Sequence, residues 1–121
     1  MNTPEQVVQR QLDAYNAHDL DAWLDTYAAD AQQFEHPATL LASGHAEIRV
    51  RAMSRFAEPN LHAQLLKRVV LGDMVIDHES VITRSFPEGP GRMDLIGIYQ
   101  VRAGKIVTAS FVFGARVLDA V

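Results

Sequence analysis

The sequence predicts an α+β domain in which helices come first and strands follow. Apolar residues recur at helical spacing through the first half of the chain, whereas β-branched residues and period-two alternation dominate from Leu61 onward. Glycine-containing turns separate the strand-like segments, which is typical of an antiparallel meander. We therefore expect three N-terminal helices packed on a curved, mainly antiparallel sheet, with an apolar pocket between the layers.

Length and composition favour one domain spanning residues 1–121. The chain is 48% hydrophobic and 21% charged, with a net charge of −4 and no cysteine. An acidic chain lacks the basic surface that nucleic acid binding requires. No apolar run approaches the roughly 20 residues of a membrane helix. With no signal-peptide pattern at the N-terminus, we expect a cytoplasmic protein without a membrane or nucleic acid partner.

The first two helices carry recognisable start signals. Thr3 can cap the first helix, with Pro4 and Gln6 at positions that suit a helix start and a capping box. That helix is predicted to end near His18, and Asp19 can cap the second. The apolar stripe of the second helix is formed by Leu20, Trp23, Leu24, Tyr27 and Ala28.

The segment from Tyr27 to Pro37 marks the change from helix to extended chain. The residue before a proline is pushed toward extended backbone, so a short extended run is predicted to end at His36. A loop at 38–44 and a third helix at 45–57 follow. Arg51 and Arg55 lie four residues apart on that helix, and we predict that they share its solvated face.

Four strands are predicted in the second half, at 61–71, 74–86, 93–102 and 105–113. Turns are predicted at 72–73, 87–91 and 103–104, and Gly114 is predicted to end the last strand. By alternation, the last strand lines the inner side of the sheet with Ala109, Phe111 and Phe113.

Several stretches of this sequence resemble the nuclear transport factor 2-like superfamily, which includes ketosteroid isomerases and SnoaL-like polyketide cyclases. YNAHDLDAWLDTYAADAQQFEHP resembles its second-helix signature, and SGHAEIR its glycine-led third helix. GDMVIDHESV and IYQVRAGKIVTASF resemble its closing strands. The resemblance spans about Gln6 to Gly114 and implies a cone-shaped α+β domain. It also implies a homodimer through the outer sheet face, near Ile96 and Ile98.

The resemblance to ketosteroid isomerase assigns candidate positions without preserving the catalytic residues. Its general base, immediately before the proline, corresponds to His36, and its oxyanion tyrosine falls near Gln11. Its protonated aspartate falls near Gly97. The isomerase triad is therefore not intact, although the resemblance still implies a small apolar carbonyl compound as ligand.

His36 is the predicted acid or base, because the reference pKa of imidazole lies near physiological pH. Gln11 or Tyr99 is predicted to stabilise developing oxyanion charge. Adjacent strand residues point to opposite faces, so one of His78 and Glu79 can face the pocket and the other a dimer partner. The residues predicted to contact the ligand are Tyr15, Trp23, Tyr27, Phe34, Phe56, His78, Phe111 and Phe113. A role in the core or pocket wall is the alternative for Tyr15, Trp23, Tyr27 and Tyr99.

No cofactor or metal is predicted. The histidines lack local metal-ligand spacing, and neither a glycine-rich phosphate loop nor a serine-hydrolase elbow is present. Two functions are compatible with the sequence. One is a cofactor-independent isomerase, cyclase or dehydratase for a small apolar carbonyl compound. The other is a non-catalytic ligand-binding or dimerisation module with the same pocket.

Overall fold

Three helices pack against one six-stranded sheet in the computed structural model, which describes residues 3–119 except for the side chains of residues 82–85. The elements in chain order are α1 (Pro4–Asn16), α2 (Leu20–Asp25), β1 (Tyr27–Glu35), β2 (Thr39–Ser43), α3 (Gly44–Phe56), β3 (His62–Leu71), β4 (Met74–Phe86), β5 (Gly89–Arg102) and β6 (Lys105–Leu118). The strand order is β2-β1-β6-β5-β4-β3, and only the β1–β6 pair is parallel. The predicted α+β class, with a mainly antiparallel sheet, is confirmed.

The predicted starts of the first two helices are also confirmed. Thr3 Oγ1 accepts a hydrogen bond from the backbone N–H of Gln6 at 3.2 Å, and the Gln6 side chain accepts one from the Thr3 N–H at 3.1 Å. Asp19 accepts a hydrogen bond from the backbone N–H of Ala22 at 3.0 Å and thereby caps α2. The residues that α1 buries are Val7, Val8, Gln11, Leu12 and Ala14.

The second helix is shorter than predicted, because it ends at Asp25 and does not continue through Ala28. Tyr27 is instead the first residue of β1, which pairs with both β2 and β6. An irregularity in register between Tyr27 and Gln32 leaves Tyr27 and Ala31 buried at a four-residue spacing. This spacing imitates helical periodicity, and pairing with neighbouring strands overrides the local pattern.

The sheet has two strands more than the predicted four-stranded meander. β1 and β2 lie where a helix end and the 38–44 loop were predicted, and they separate α3 from the first two helices along the chain. β2 is a five-residue edge strand, and so short an edge strand carries little sequence pattern.

The last strand also continues past Gly114 to Leu118, so the prediction that Gly114 ends it was wrong. A Cβ at Gly114 would lie 2.9 Å from the backbone oxygen of Asp94 on the neighbouring strand. Glycine permits this close approach of two strands and keeps the sheet paired.

The core lies between the helices and the inner face of β4, β5 and β6. Val75, Tyr99 and Ala109 belong to it, one from each strand. Phe111 is buried and Phe113 is half-buried against the same core, as the alternation of β6 predicted. Among residues 3–119, no helix is long and apolar enough to cross a membrane.

Candidate functional site

A small cavity, the central cavity, lies between the helices and the inner face of the sheet. Its volume is about 30 Å³, which is room for roughly two water molecules. Its lining includes these predicted site residues: Gln11, Tyr15, Trp23, Tyr27, Tyr99 and Phe111. The lining also includes residues to which no site role was assigned: Leu12, Gln33, Arg51, Arg55, Glu79 and Leu95. The walls are thus more polar than the sequence predicted.

Each secondary-structure element places its polar lining residue on a face that otherwise packs into the core. Gln11 lies on the buried stripe of α1, between Val8 and Leu12, and is only 6% exposed. On β4, Glu79 shares its face with the buried Val75 and Val81. The sequence therefore forces these polar groups inward.

Buried polar atoms without a hydrogen-bond partner concentrate at the central cavity. Within the described part of the chain, these atoms are Gln11 Oε1, Trp23 Nε1, Tyr27 Oη, Gln33 Nε2 and Glu79 Oε2. All of them belong to residues that line the central cavity. Leaving a buried polar group unpaired costs about 1–3 kcal/mol, so native proteins retain few such groups and each requires an explanation.

Glu79 contributes a carboxyl group to the wall of the central cavity. Its residue is only 5% exposed, and burial raises the pKa of its carboxyl group to about 7, assisted by the negative charge of Asp77 and opposed by Arg68. The group is therefore divided between its acid and carboxylate forms near neutral pH, which suits proton transfer. The residue predicted to contact the ligand was instead its neighbour His78, which points to the opposite face of β4.

His78 lies outside the central cavity, on the other face of β4. Its side chain is 44% exposed and lies 3.1 Å from the carboxylate of Asp94 on β5. Val75 and Val81 are buried and lie an even number of residues from Glu79 in β4. Their hydrophobic character was the sequence signal that could have identified Glu79, and not His78, as the residue facing inward.

The two buried tyrosines supply neutral hydroxyl groups. Burial raises the pKa of Tyr27, an effect that Gln33, Arg55 and Arg51 oppose, and burial raises the pKa of Tyr99 as well. Both phenols therefore stay protonated at neutral pH and can donate a hydrogen bond. The ring of Tyr99 lies over Gly97 on its own strand, where a Cβ would be 2.7 Å from the Tyr99 hydroxyl.

Two arginines of α3 approach the cavity from the helix side. Arg51 Nη1 donates a hydrogen bond to Gln33 Oε1 at 2.9 Å, and its guanidinium carbon is 5.8 Å from the centre of the Phe111 ring. Arg55, one turn later, also lines the cavity. The prediction that both arginines lie on a solvated face was wrong, because residues three and seven positions after the buried Ile48 face the core.

His36 is exposed and does not line the central cavity. Its backbone N–H donates a hydrogen bond to the carbonyl oxygen of Phe111 at 2.8 Å, which ties the end of β1 to β6. The structure therefore does not bring His36 together with Gln11 and Tyr99, the other residues predicted to be catalytic.

The remaining predicted contact residues lie around the cavity but not on its wall. Phe56 packs against the rings of Tyr15 and Trp23, with centroid distances of 5.4 and 5.3 Å. Phe113 stacks on the ring of Phe111 at 6.1 Å. Phe34 is half-buried on β1. Among residues 3–119, no group of three His, Asp or Glu side chains is arranged to bind a metal ion.

These features define an α+β protein with a small polar cavity enclosed by helices and a mainly antiparallel sheet. The chain belongs to the SnoaL-like domain family, which matches residues 8–109. The predicted relationship to the nuclear transport factor 2-like superfamily is therefore confirmed. No curated protein matches the sequence.

Solved structures with the same fold come from several bacteria. An uncharacterised cystatin fold protein from Novosphingobium aromaticivorans has a TM-score of 0.81 and 22% identity over 91% of this chain and 97% of its own. An NTF2-like protein from Burkholderia thailandensis has a TM-score of 0.78 and 23% identity over 93% and 92%. A putative polyketide cyclase from Sinorhizobium meliloti has a TM-score of 0.70 and 24% identity over 87% and 92%. At these identities the likeness shows the fold alone.

Proposed function

We propose that the protein is a cofactor-independent acid–base enzyme that acts on a small carbonyl compound in the central cavity, with Glu79 as the proton acceptor or donor. One observation carries this proposal: unpartnered polar atoms converge on one cavity, and one of them belongs to a carboxyl group with a pKa of about 7. A ligand in the cavity would supply the missing hydrogen-bond partners. Because the cavity has room for only about two water molecules, the side chains that line it must move apart to admit such a ligand. Perturbed titration behaviour in a cavity is typical of catalytic groups.

The cavity contains the parts that proton transfer next to a carbonyl group requires. In its carboxylate form, Glu79 can remove a proton from the carbon beside the carbonyl and return it to another carbon atom. The protonated hydroxyl of Tyr27 and the indole N–H of Trp23 are unpartnered donors that can stabilise the resulting oxyanion. This chemistry is compatible with isomerisation, cyclisation or dehydration, and it needs no cofactor.

Deuterium exchange tests the chemistry without knowledge of the natural substrate. We would follow exchange at the carbon beside the carbonyl by NMR in D₂O, with acetone, cyclohex-2-enone and a 3-ketosteroid as probes. We expect the wild type to accelerate exchange of at least one probe, and Glu79→Gln to reduce that acceleration by about 100-fold or more, the usual contribution of a general base. No acceleration of any probe by the wild type would reject the proposal.

His36→Ala is the matched comparison, because it removes the residue at the position of the isomerase base. The exposed His36 lies outside the cavity, so we expect unchanged exchange. If His36→Ala abolishes exchange and Glu79→Gln does not, the base is His36 and the assignment to Glu79 is wrong.

A non-catalytic ligand-binding module is the second candidate, and the placement of His36 favours it. The residue at the position of the isomerase base does not reach the cavity, so the family's catalytic arrangement is not reproduced here. This alternative predicts saturable binding of a carbonyl compound without any exchange, and equal affinity in wild type and Glu79→Gln.

We also propose that the protein forms a homodimer through the outer face of the sheet. Val69 is paired with Ile76, and Ile96 with Val112, across neighbouring strands, and all of these side chains are exposed. Adjacent exposed apolar side chains are typical of an interface. Light scattering should give a dimer for the wild type and a monomer for Ile96→Lys; a monomeric wild type would reject the dimer.

A further inference from the structure

Two arginines of α3 lie on the side of the helix that faces the core. Ile48 and Ala52 are buried, and Arg51 and Arg55 fall beside them at the spacing of one helix face. Both arginines line the central cavity. A charged group on an inward-facing position is costly unless it is paired, so the partners of these two residues are informative.

Arg49 and Arg68 have carboxylate partners, whereas Arg55 has none among the residues that the structure describes. Arg49, on the same helix, lies 2.7 Å from Asp21, and Arg68 lies 2.7 Å from Asp77. Arg55 makes no hydrogen bond or ion pair with any group that the structure describes. One hydrogen bond from Arg51 goes to the neutral amide of Gln33.

The charge of the cavity wall runs opposite to that of the whole chain. The protein carries a net charge of −4, yet its cavity is lined by two arginines and one carboxyl group, Glu79. The two arginines enter the cavity from α3, and Glu79 enters it from β4. The cavity therefore has a cationic side on α3 and a separate carboxyl side on β4, and a positive wall attracts an anion.

We infer that the ligand of the central cavity is a small aromatic or unsaturated carboxylate, bound through its carboxylate group by Arg55. This inference rests on the proposed function and names its substrate class. The ring of Phe111 and the indole of Trp23 provide the apolar walls for the body of the ligand. The fork of N–H donors on a guanidinium suits the two oxygens of a carboxylate. The far end of the ligand points toward Glu79.

Side-chain N–H groups that line the cavity give NMR signals that report ligand binding directly. The single Trp residue gives one indole signal, from Trp23 Nε1–H, and the side-chain amide of Gln33 gives another. We would titrate uniformly ¹⁵N-labelled protein with benzoate, cinnamate and crotonate, each matched with its primary amide, at up to about 10 mM. The amides keep the size and shape of the acids but carry no charge.

We expect wild type to bind at least one acid about tenfold more tightly than its amide, the effect of one charge-assisted hydrogen bond. Arg55→Gln should remove this preference without weakening amide binding, and Arg55→Lys should keep part of it. Arg49→Gln is the matched control, because it removes a positive charge from the same helix outside the cavity. That variant should keep the full preference for the acid.

The outcomes separate this inference from the proposed function. Binding of the amides with equal or higher affinity than the acids overturns the carboxylate inference and leaves the enzyme proposal standing. Equal loss of acid binding in Arg55→Gln and Arg49→Gln also overturns it, because the effect would then be a general one of net charge. If neither the acids nor the amides shift the Trp23 and Gln33 signals while the ketone probes undergo exchange, the inference that the ligand is a carboxylate is wrong. If no probe binds or exchanges, both proposals are rejected.

Discussion

Two carboxyl groups on the inner face of β4 are similarly buried but have opposite surroundings. Asp77 accepts hydrogen bonds from Arg68 Nε and Nη2 at 2.7 and 2.9 Å. Glu79, two residues later, has an oxygen without a partner among the described groups, and its pKa is raised to about 7. Burial alone therefore does not decide the role of a carboxyl group. The Arg68 partner makes Asp77 a structural residue, whereas the open cavity leaves Glu79 available for proton transfer.

Asp77→Asn should produce the largest loss of stability among the changes considered. Asp77 is fully buried, and its substitution leaves Arg68 with the exposed Glu5, 4.0 Å away, as its remaining carboxylate neighbour. Breaking a buried ion pair by removing one member costs about 3–5 kcal/mol. Urea denaturation would measure the loss, with Asp94→Asn on the exposed face as control. A loss no greater than that of the control would contradict a structural role for Asp77.

Glu79→Gln should change the pH dependence of stability. The pKa of Glu79 in the folded protein is about 7, above its ordinary value of 4.5. Between these two pH values, the folded wild type keeps a proton on Glu79 that the unfolded chain releases. The wild type therefore loses stability as the pH rises from 4.5 to 7. The variant lacks this loss and should gain up to about 3 kcal/mol relative to wild type between pH 4 and pH 8.

Denaturation of wild type and Glu79→Gln at several pH values would measure this relative gain. Every other ionisable group is common to the two proteins, so its contribution cancels in the difference. The charged groups around Glu79 are Asp77, Arg68 and the two cavity arginines, Arg51 and Arg55, and all of them are present in both proteins. A difference that stays constant with pH would mean that the pKa of Glu79 is not raised.

Gly97→Ala should disturb the packing of Tyr99 on the inner face of the sheet. Gly97 is the β5 partner of Asp77 in the sheet, and the ring of Tyr99 occupies the space beside it. A methyl group there would lie 2.7 Å from the Tyr99 hydroxyl, and such overpacking costs about 1–3 kcal/mol. The loss should be smaller in a Tyr99→Leu background, which a double-mutant cycle would measure. Additive effects of the two changes would contradict the predicted contact.

The sequence predicted those elements whose local pattern and tertiary role agree. The capping box at Thr3, the cap at Asp19 and the four strands from β3 to β6 were predictable for this reason. Strand β1 was not, because the irregular register after Tyr27 produces helix-like spacing, and its partner β6 lies about 80 residues later in the chain. Long-range parallel pairing of this kind leaves no local signal.

The candidate site was only partly predictable, because inward polar residues look like exposed ones in a sequence. Alternation alone separated His78 from Glu79, but a choice between them required the parity of Val75 and Val81. The arginines of α3 posed the same difficulty, since an i,i+4 pair of charges usually marks a solvated face. Their inward position becomes apparent only relative to Ile48. The functional assignment thus depends on which face is buried, a property that the whole fold decides.

His78→Ala should have the smallest effect, and it tests whether the two faces of β4 differ as the structure indicates. The side chains of His78 and Asp94 are 44% and 56% exposed, and exposed ion pairs contribute about 0–1 kcal/mol. We expect a change in unfolding free energy within about 0.5 kcal/mol, and unchanged signals from Trp23 and Gln33 in the ¹⁵N spectrum. A shift of the Trp23 or Gln33 signal in His78→Ala would show that a change on the outer face of β4 alters the structure of the cavity. In that case the separation of roles between His78 and Glu79 would not hold.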